Sequence, residues 1–407
     1  MRRRLVIGGA VAALGAAAAF FSHHAEVLAL QLPTRVLAPT HAEVTTPRAA
    51  LEHFQCNRCH VVEGVAPPSA PLAENCVTCH QAILAGRLDL WYREERVTAW
   101  REHLVHLVRT PDLSTLRWRV TRAWLVTFLQ APHPVRPLAG AMMPRLPIGP
   151  REAALLADAL GVVEPQSGPP SRGDASRGEA LYRRRGCGAC HARGDARDLR
   201  YGAPEFREAS VAQRRAPDLA WVPQRMSEAQ LRVWLTAPAQ VQPDTEMPPP
   251  GFTADELDDV AAFLWRPPQR APPAAPRAPR LLDRRVTWAE VSAKLSRHLC
   301  FHCHSDGRRP GDRGPGNSGG FGYAGAGLDL ATREGVLRGV RRDGGWLGQP
   351  DRLAEGMPRL VASLLARRAE VQGLAQGEVL GMPLGLPPLP DEDIDLVYTW
   401  LEQGSPE

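Results

Sequence analysis

Cys56-Asn57-Arg58-Cys59-His60 is followed closely by Cys76-Val77-Thr78-Cys79-His80. Two cysteines three positions apart lie about one helical turn from each other. Both thiols therefore reach the two vinyl groups on one edge of a single porphyrin, and the histidine that follows swings its imidazole under the iron. The pattern returns at Cys187-Gly188-Ala189-Cys190-His191 and at Cys300-Phe301-His302-Cys303-His304, and these four copies use all eight cysteines of the chain.

Two other chemistries use a Cys-x-x-Cys pair. One is a redox dithiol; the other is a zinc site built from two such pairs, and the interval between Cys59 and Cys76 fits that second pattern. Against both, Cys187/Cys190 and Cys300/Cys303 have no second pair nearby, and all four pairs carry the histidine in the same place. The sequence points to four covalently bound haem c groups. Cys56, Cys59, Cys76, Cys79, Cys187, Cys190, Cys300 and Cys303 are the attachment points, with His60, His80, His191 and His304 as proximal iron ligands.

The chain has 407 residues, enough for two to four domains, and a net charge of +5. Nearly all of its positive charge is arginine, because Lys294 is the only lysine. The arginines are spread along the chain and no basic run is interleaved with aromatics, so no nucleic-acid partner is expected. Arg2-Arg3-Arg4 and the apolar run from Leu5 to Phe21 read as an export signal. That run spans 17 residues, short of the roughly 20 that cross a bilayer comfortably. No clear small-residue cleavage site follows it, so a cleaved signal and a retained anchor through residues 5–21 both stand. Either way the remainder is expected on the periplasmic side of the cytoplasmic membrane.

Residues 1–24 are thus a signal peptide or anchor. Residues 45–163 read as a domain with two attachment motifs, 164–177 as a linker and 178–266 as a domain with one. Residues 267–280, rich in proline, read as a second linker, and 281–407 as another single-motif domain. As extended polyproline II that second linker would span about 45 Å. Helices are expected at 47–55, 91–108, 122–130, 151–160, 226–236, 255–265, 287–299 and 391–403, and an irregular glycine-rich loop at 307–327. Each domain repeats one order: entry helix, motif, irregular middle, Met-Pro, closing helix.

That order resembles class I cytochrome c, a small all-α domain wrapped around one haem. The resemblance covers most of residues 47–407 and implies three consecutive helical domains of this kind. Gly178-x-x-x-Tyr182 looks like the family's small-residue and aromatic pair where first and last helices cross, with Phe263, Trp265 or Trp400 as aromatic partners. In the family the distal ligand is a methionine well downstream of the motif, usually before a proline. The matching residues are Met143, Met247 and Met382, with Met142 and Met357 as nearest competitors. The third domain looks like cytochrome c domains fused to large bacterial envelope proteins.

The first domain has one iron more than Met143 can serve. Among its histidines, His103 lies about 90° from the centre of the apolar face of the 91–108 helix and His106 about 150° away. His103 is preferred for the second haem, His106 follows, and His53 and His133 are outsiders. With both axial positions filled, the expectation is an exported tetra-haem electron carrier between respiratory or dehydrogenase partners, with no small-molecule substrate. The third domain would be a mobile head beyond its linker. Two rivals remain: an electron-accepting subunit docked on a membrane or periplasmic oxidoreductase, and an enzyme acting on peroxide or nitrogen oxides at one open iron.

Overall fold

The computed structural model describes residues 44–66, 75–87, 97–98, 100–101, 104, 109–139, 142–165, 172–193, 210–268, 275–298, 300–306, 327–342, 345–347, 352–353, 355–374 and 379–407. The signal or anchor at 1–24, most of the helix expected at 91–108 with His103 and His106, and the loop at 307–326 lie outside these residues. Among the described residues no helix is long and apolar enough to cross a membrane.

The first unit is built from α1 (Pro47–Phe54), α2 (Cys76–Leu84), α3 (Arg122–Gln130) and α4 (Pro150–Ala159). Thr46 caps α1 by accepting the Ala49 N–H, and Thr121 caps α3 by accepting the Trp124 N–H. Leu51 and Phe54 of α1, Leu125 and Leu129 of α3, and Ala153 and Leu156 of α4 close one apolar core. Helix α2 stands apart from it, and its Cys79 and Ile83 form a satellite cluster with Val97, Trp100 and Leu104.

The second unit contains α5 (Ala175–Arg184), α6 (Glu228–Thr236) and α7 (Ala254–Trp265). Ser227 with Gln230, and Thr253 with Glu256, form reciprocal capping boxes that fix where α6 and α7 begin. Helix α6 therefore starts two residues after the expected Met226. Helix α5 starts at Ala175, capped by Asp174, so the expected linker at 164–177 ends in helix rather than running to residue 177. At the α5–α7 crossing a Cβ on Gly178 would fall 2.0 Å from the Asp259 carbonyl oxygen. Only a glycine lets the backbones approach this closely. One turn on, Tyr182 packs on Phe263 with ring centroids 5.5 Å apart, as the family resemblance implied.

In the third unit, α8 (Trp288–Arg297), α9 (Arg359–Val371) and α10 (Asp391–Glu402) close around Trp400, which is fully buried against Trp288. A short antiparallel hairpin, β1 (Val340–Arg342) and β2 (Gly345–Leu347), is added to these helices and leaves the helical class expected from the sequence unchanged. The lone lysine is placed here: Lys294 Nζ meets Asp393 Oδ1 at 2.6 Å, and His298 Nε2 donates to Asp393 Oδ2 at 2.7 Å.

The units are not separate beads on a string. Between the first and second, the Thr121 N–H donates to Arg225 O and the Asp218 N–H to Val135 O, both at 2.8 Å. Gln230 Nε2 donates to Val120 O at 3.0 Å across the same seam. Between the first and third, the Met142 N–H donates to Gly385 O at 2.9 Å. The described end of the proline-rich linker is also pinned: Arg277 forms ion pairs with Asp391 and Asp395, and the Arg280 N–H donates to Asp395. The Met142–Gly385 bond sets the third unit against the first, where the sequence reading expected a mobile head, while Arg277 and Arg280 tie the linker's described end to the third unit's own closing helix.

Burial pushes the Asp393 carboxyl up, but the hydrogen bonds and charges of Lys294 and His298 outweigh it and hold it below the ordinary carboxylate range. Because the folded value is the lower one, its contribution to stability is present above the unfolded pKa of about 4 and is lost as pH falls through the folded value. Asp393→Asn is expected to cost the third unit about 1.5–3 kcal/mol at neutral pH. It should also flatten the acid limb of denaturation curves; an unchanged acid limb would remove Asp393 as its source.

Candidate functional site

The first and third motifs are built alike. Helix α1 ends at Gln55 with φ 50° and α5 leads into Gly186 with φ 70°, a left-handed residue directly before the first cysteine in both units. The motif then closes one tight turn: the His60 N–H donates to Cys56 O at 2.9 Å and the His191 N–H to Cys187 O at 3.0 Å. The fourth motif makes the same closure, with the His304 N–H on Cys300 O at 2.9 Å. In the second motif Cys76, Cys79 and His80 lie within α2 itself.

Each ring is held from behind. His60 Nδ1 lies 2.8 Å from Pro111 O, and His191 Nδ1 lies 2.9 Å from Pro217 O. A carbonyl only accepts, so Nδ1 carries the proton and Nε2 keeps its lone pair, the tautomer an iron ligand needs. Burial pushes both imidazoles below their ordinary pKa, against the carbonyl's pull, and Arg136 beside His60 and Arg225 beside His191 push the same way. Burial alone takes His304 down to about 4. All three rings are neutral at physiological pH.

The carbonyls that orient these rings sit in a strap that the sequence reading overlooked, although its signal is visible as the repeated tripeptide Pro111-Asp112-Leu113 and Pro217-Asp218-Leu219. In each strap the aspartate accepts the N–H two residues on, from Ser114 or Ala220, at 2.8 Å. The leucine N–H donates to the residue after the histidine: Leu113 to Val61 O at 2.9 Å, and Leu219 to Ala192 O at 2.8 Å. The third unit uses Leu328-Asp329-Leu330, with Asp329 accepting from Ala331 at 3.0 Å and the Leu330 N–H on His304 O at 2.8 Å.

The straps also explain the extra motif. From histidine to strap carbonyl is 51 residues in the first unit and 26 in the second. The additional 25 residues contain the second motif, so that motif is an insertion between the ring and the strap of an otherwise ordinary unit. Its Cys76 lies against Cys59, whose hydrogen bond holds the Cys76 thiol below its ordinary range, and it is close enough to Cys303 to raise that thiol further, beyond the effect of burial. His80 in turn neighbours His302. The first, second and fourth motifs therefore converge.

The methionines fall into three settings. Met143 packs in the first core together with Cys56. Met247 packs in the second core, and its sulfur accepts from Trp234 Nε1 at 3.0 Å. Met382 lies on a loop tied to α9: its N–H donates to Ser363 O at 2.9 Å, Gly381 N–H to Glu370 at 2.8 Å, and Arg367 Nε to Leu386 O at 2.6 Å. Its competitor Met357 shares the third core with Cys300, while Met142 is turned to the third unit by its Gly385 contact. His133 packs at a tilt against Trp221, with ring centroids 3.9 Å apart, in the seam, and His53 packs on Phe54 in α1. The second motif's candidates, His103 and His106, lie outside the described residues.

A neutral histidine with Nε2 free, two thiols one turn apart and a methionine in the same core fit a covalently attached haem. Residues 175–266, which span the second unit, match the Cytochrome c family model. No curated protein and no solved structure matches the chain. The matched segment is a cytochrome c domain, and that family holds haem c covalently and transfers electrons through it.

Asp112→Ala and Asp218→Ala each leave a strap N–H without its acceptor and are expected to cost about 1 kcal/mol in their own unit. Thermal melts that show no loss for either would separate the straps from the stability of the fold.

Proposed function

We propose that the chain is an exported tetra-haem cytochrome c that carries electrons between respiratory or dehydrogenase partners on the periplasmic side of the cytoplasmic membrane. The observation that carries this reading is the recurrence, around His60, of the ring-and-carbonyl geometry found around His191 in the matched domain. Bound haem c supplies an iron that passes between ferrous and ferric states by one electron. The chain's part is to fix four imidazoles, to bring up a distal side chain and to keep the attachment points close.

Met143, Met247 and Met382 fill the distal positions of the first, third and fourth sites, and His103, or His106 in its place, serves the second. Methionine ligation raises a potential and bis-histidine ligation lowers it, so the second site is the low-potential one. Filled axial positions leave no iron open to substrate, which favours carrier over enzyme. The neighbourhood of Cys59, Cys76 and Cys303 supports direct exchange among the first, second and fourth sites without a docking step.

Near-infrared and low-temperature optical spectra test the assignment. Met143→Ala, Met247→Ala and Met382→Ala should each remove about a third of the methionine-to-iron charge-transfer band and leave one high-spin iron that binds cyanide. A variant that leaves the band intact excludes that methionine. A high-spin, cyanide-binding fraction in the unaltered protein would instead favour the enzyme.

A further inference from the structure

Three guanidiniums meet in the seam between the first and second units. Arg119 lies two residues before the cap of α3 and Arg225 two before the cap of α6, so equivalent positions of the two units deliver both cations to one place. Arg136 completes the group from the segment after α3. Arg119 is 8% exposed; its Nη1 donates to Gln242 Oε1 at 3.0 Å and its Nη2 to Asp112 O at 2.6 Å, while its buried Nε has no acceptor. Among the described residues the Arg225 guanidinium reaches only the Met226 sulfur, at 3.7 Å, and its buried Nε has no acceptor there either.

The acids within reach are already engaged. An Asp112 oxygen accepts the Ser114 N–H. Asp244 takes Arg215 at 2.7 Å and Gln242 at 2.8 Å, and Glu246 takes Arg215 and Arg109. Burial, and then the repulsion of Arg136 and Arg119, bring Arg225 down to about 9. Burial with Arg119 and Arg215 brings Arg136 to about 10. Buried cations that face one another with open donors are costly unless an anion joins them.

We propose that this seam is an anion seat shared by two domains and filled by propionate carboxylates of the haem groups attached at Cys56/Cys59 and at Cys187/Cys190. The proposal rests on the reading of both motifs as haem-bearing. Its setting fits: Arg136 lies beside His60 and Arg225 beside His191, so the cluster stands between the two sites. A guanidinium offers paired planar donors that match a carboxylate, and the open Nε positions supply them. Positive charge at a shared seat favours the reduced iron on both sides and binds the two units to each other.

The test is a potentiometric titration of the full haem-loaded chain, with site potentials assigned through the methionine variants above. Arg225→Gln and Arg119→Gln should each lower the midpoints at both the His60 and His191 sites, by more than the exposed control Arg48→Gln moves either. Arg225→Lys, which keeps the charge, should restore most of the shift. A change confined to the variant's own domain, or no change, overturns the shared seat. Midpoints of the unaltered protein that track phosphate concentration at fixed ionic strength would assign the seat to a solvent anion and overturn it as well; this arm needs no variant to fold. A pyridine haemochrome assay on the same samples separates the two readings: no haem in the unaltered protein defeats the haem reading itself, whereas loaded haem with unmoved midpoints defeats only the seat.

Discussion

The hydrogen bond from a histidine Nδ1 to a proline carbonyl organises each of the first two units. It joins the residue directly after an attachment pair to a strap that arrives 26 or 51 residues later. Everything between must return to that point, and everything after it, the capped helix, the methionine loop and the closing helix, is placed relative to it. Proline suits the position because it donates no N–H of its own and fixes φ. The aspartate that follows then satisfies the backbone of the turn. One interaction thus selects the imidazole tautomer and sets the register of the unit.

That constraint also shows how the first unit gains a second motif. The segment between ring and strap is free to lengthen so long as both ends return to the same hydrogen bond, because added loop length costs little in closure entropy. The inserted helix α2 brings its own small cluster of Cys79, Ile83 and Val97. It places Cys76 against Cys59 and near Cys303, where an electron carrier would want its attachment points. The third unit completes this arrangement through the Met142–Gly385 contact and the buried Arg367–Glu370 pair behind the Met382 loop.

Much of this was legible in the sequence, for physical reasons. Cys-x-x-Cys-His is a local pattern, and local patterns survive translation into structure. Helix α3 runs from Arg122 to Gln130 as its periodicity indicates, and the Gly178–Tyr182 crossing is formed by the residues that suggested it. What escaped was non-local. The Pro-Asp-Leu straps act through a partner dozens of residues away, so nothing in their neighbourhood announces them. The docking of the three units depends on single backbone bonds and on buried arginines such as Arg119, which composition reads only as scattered charge. The proline-rich linker looked free because its composition is extended, yet Arg277 and Arg280 anchor its end on Asp395. The first residues of α5 were read as linker because Asp174, the cap that starts the helix, resembles any polar linker residue.

The central claim is that each of the four motifs carries its own haem on a single chain. The most direct measurement is the intact mass of the purified protein under denaturing conditions, which only covalent attachment survives. The account predicts one dominant species with the mass of the polypeptide plus four haem groups. A mass short by one group, with two free thiols per missing group on alkylation, would contradict it and identify the motif that stays empty.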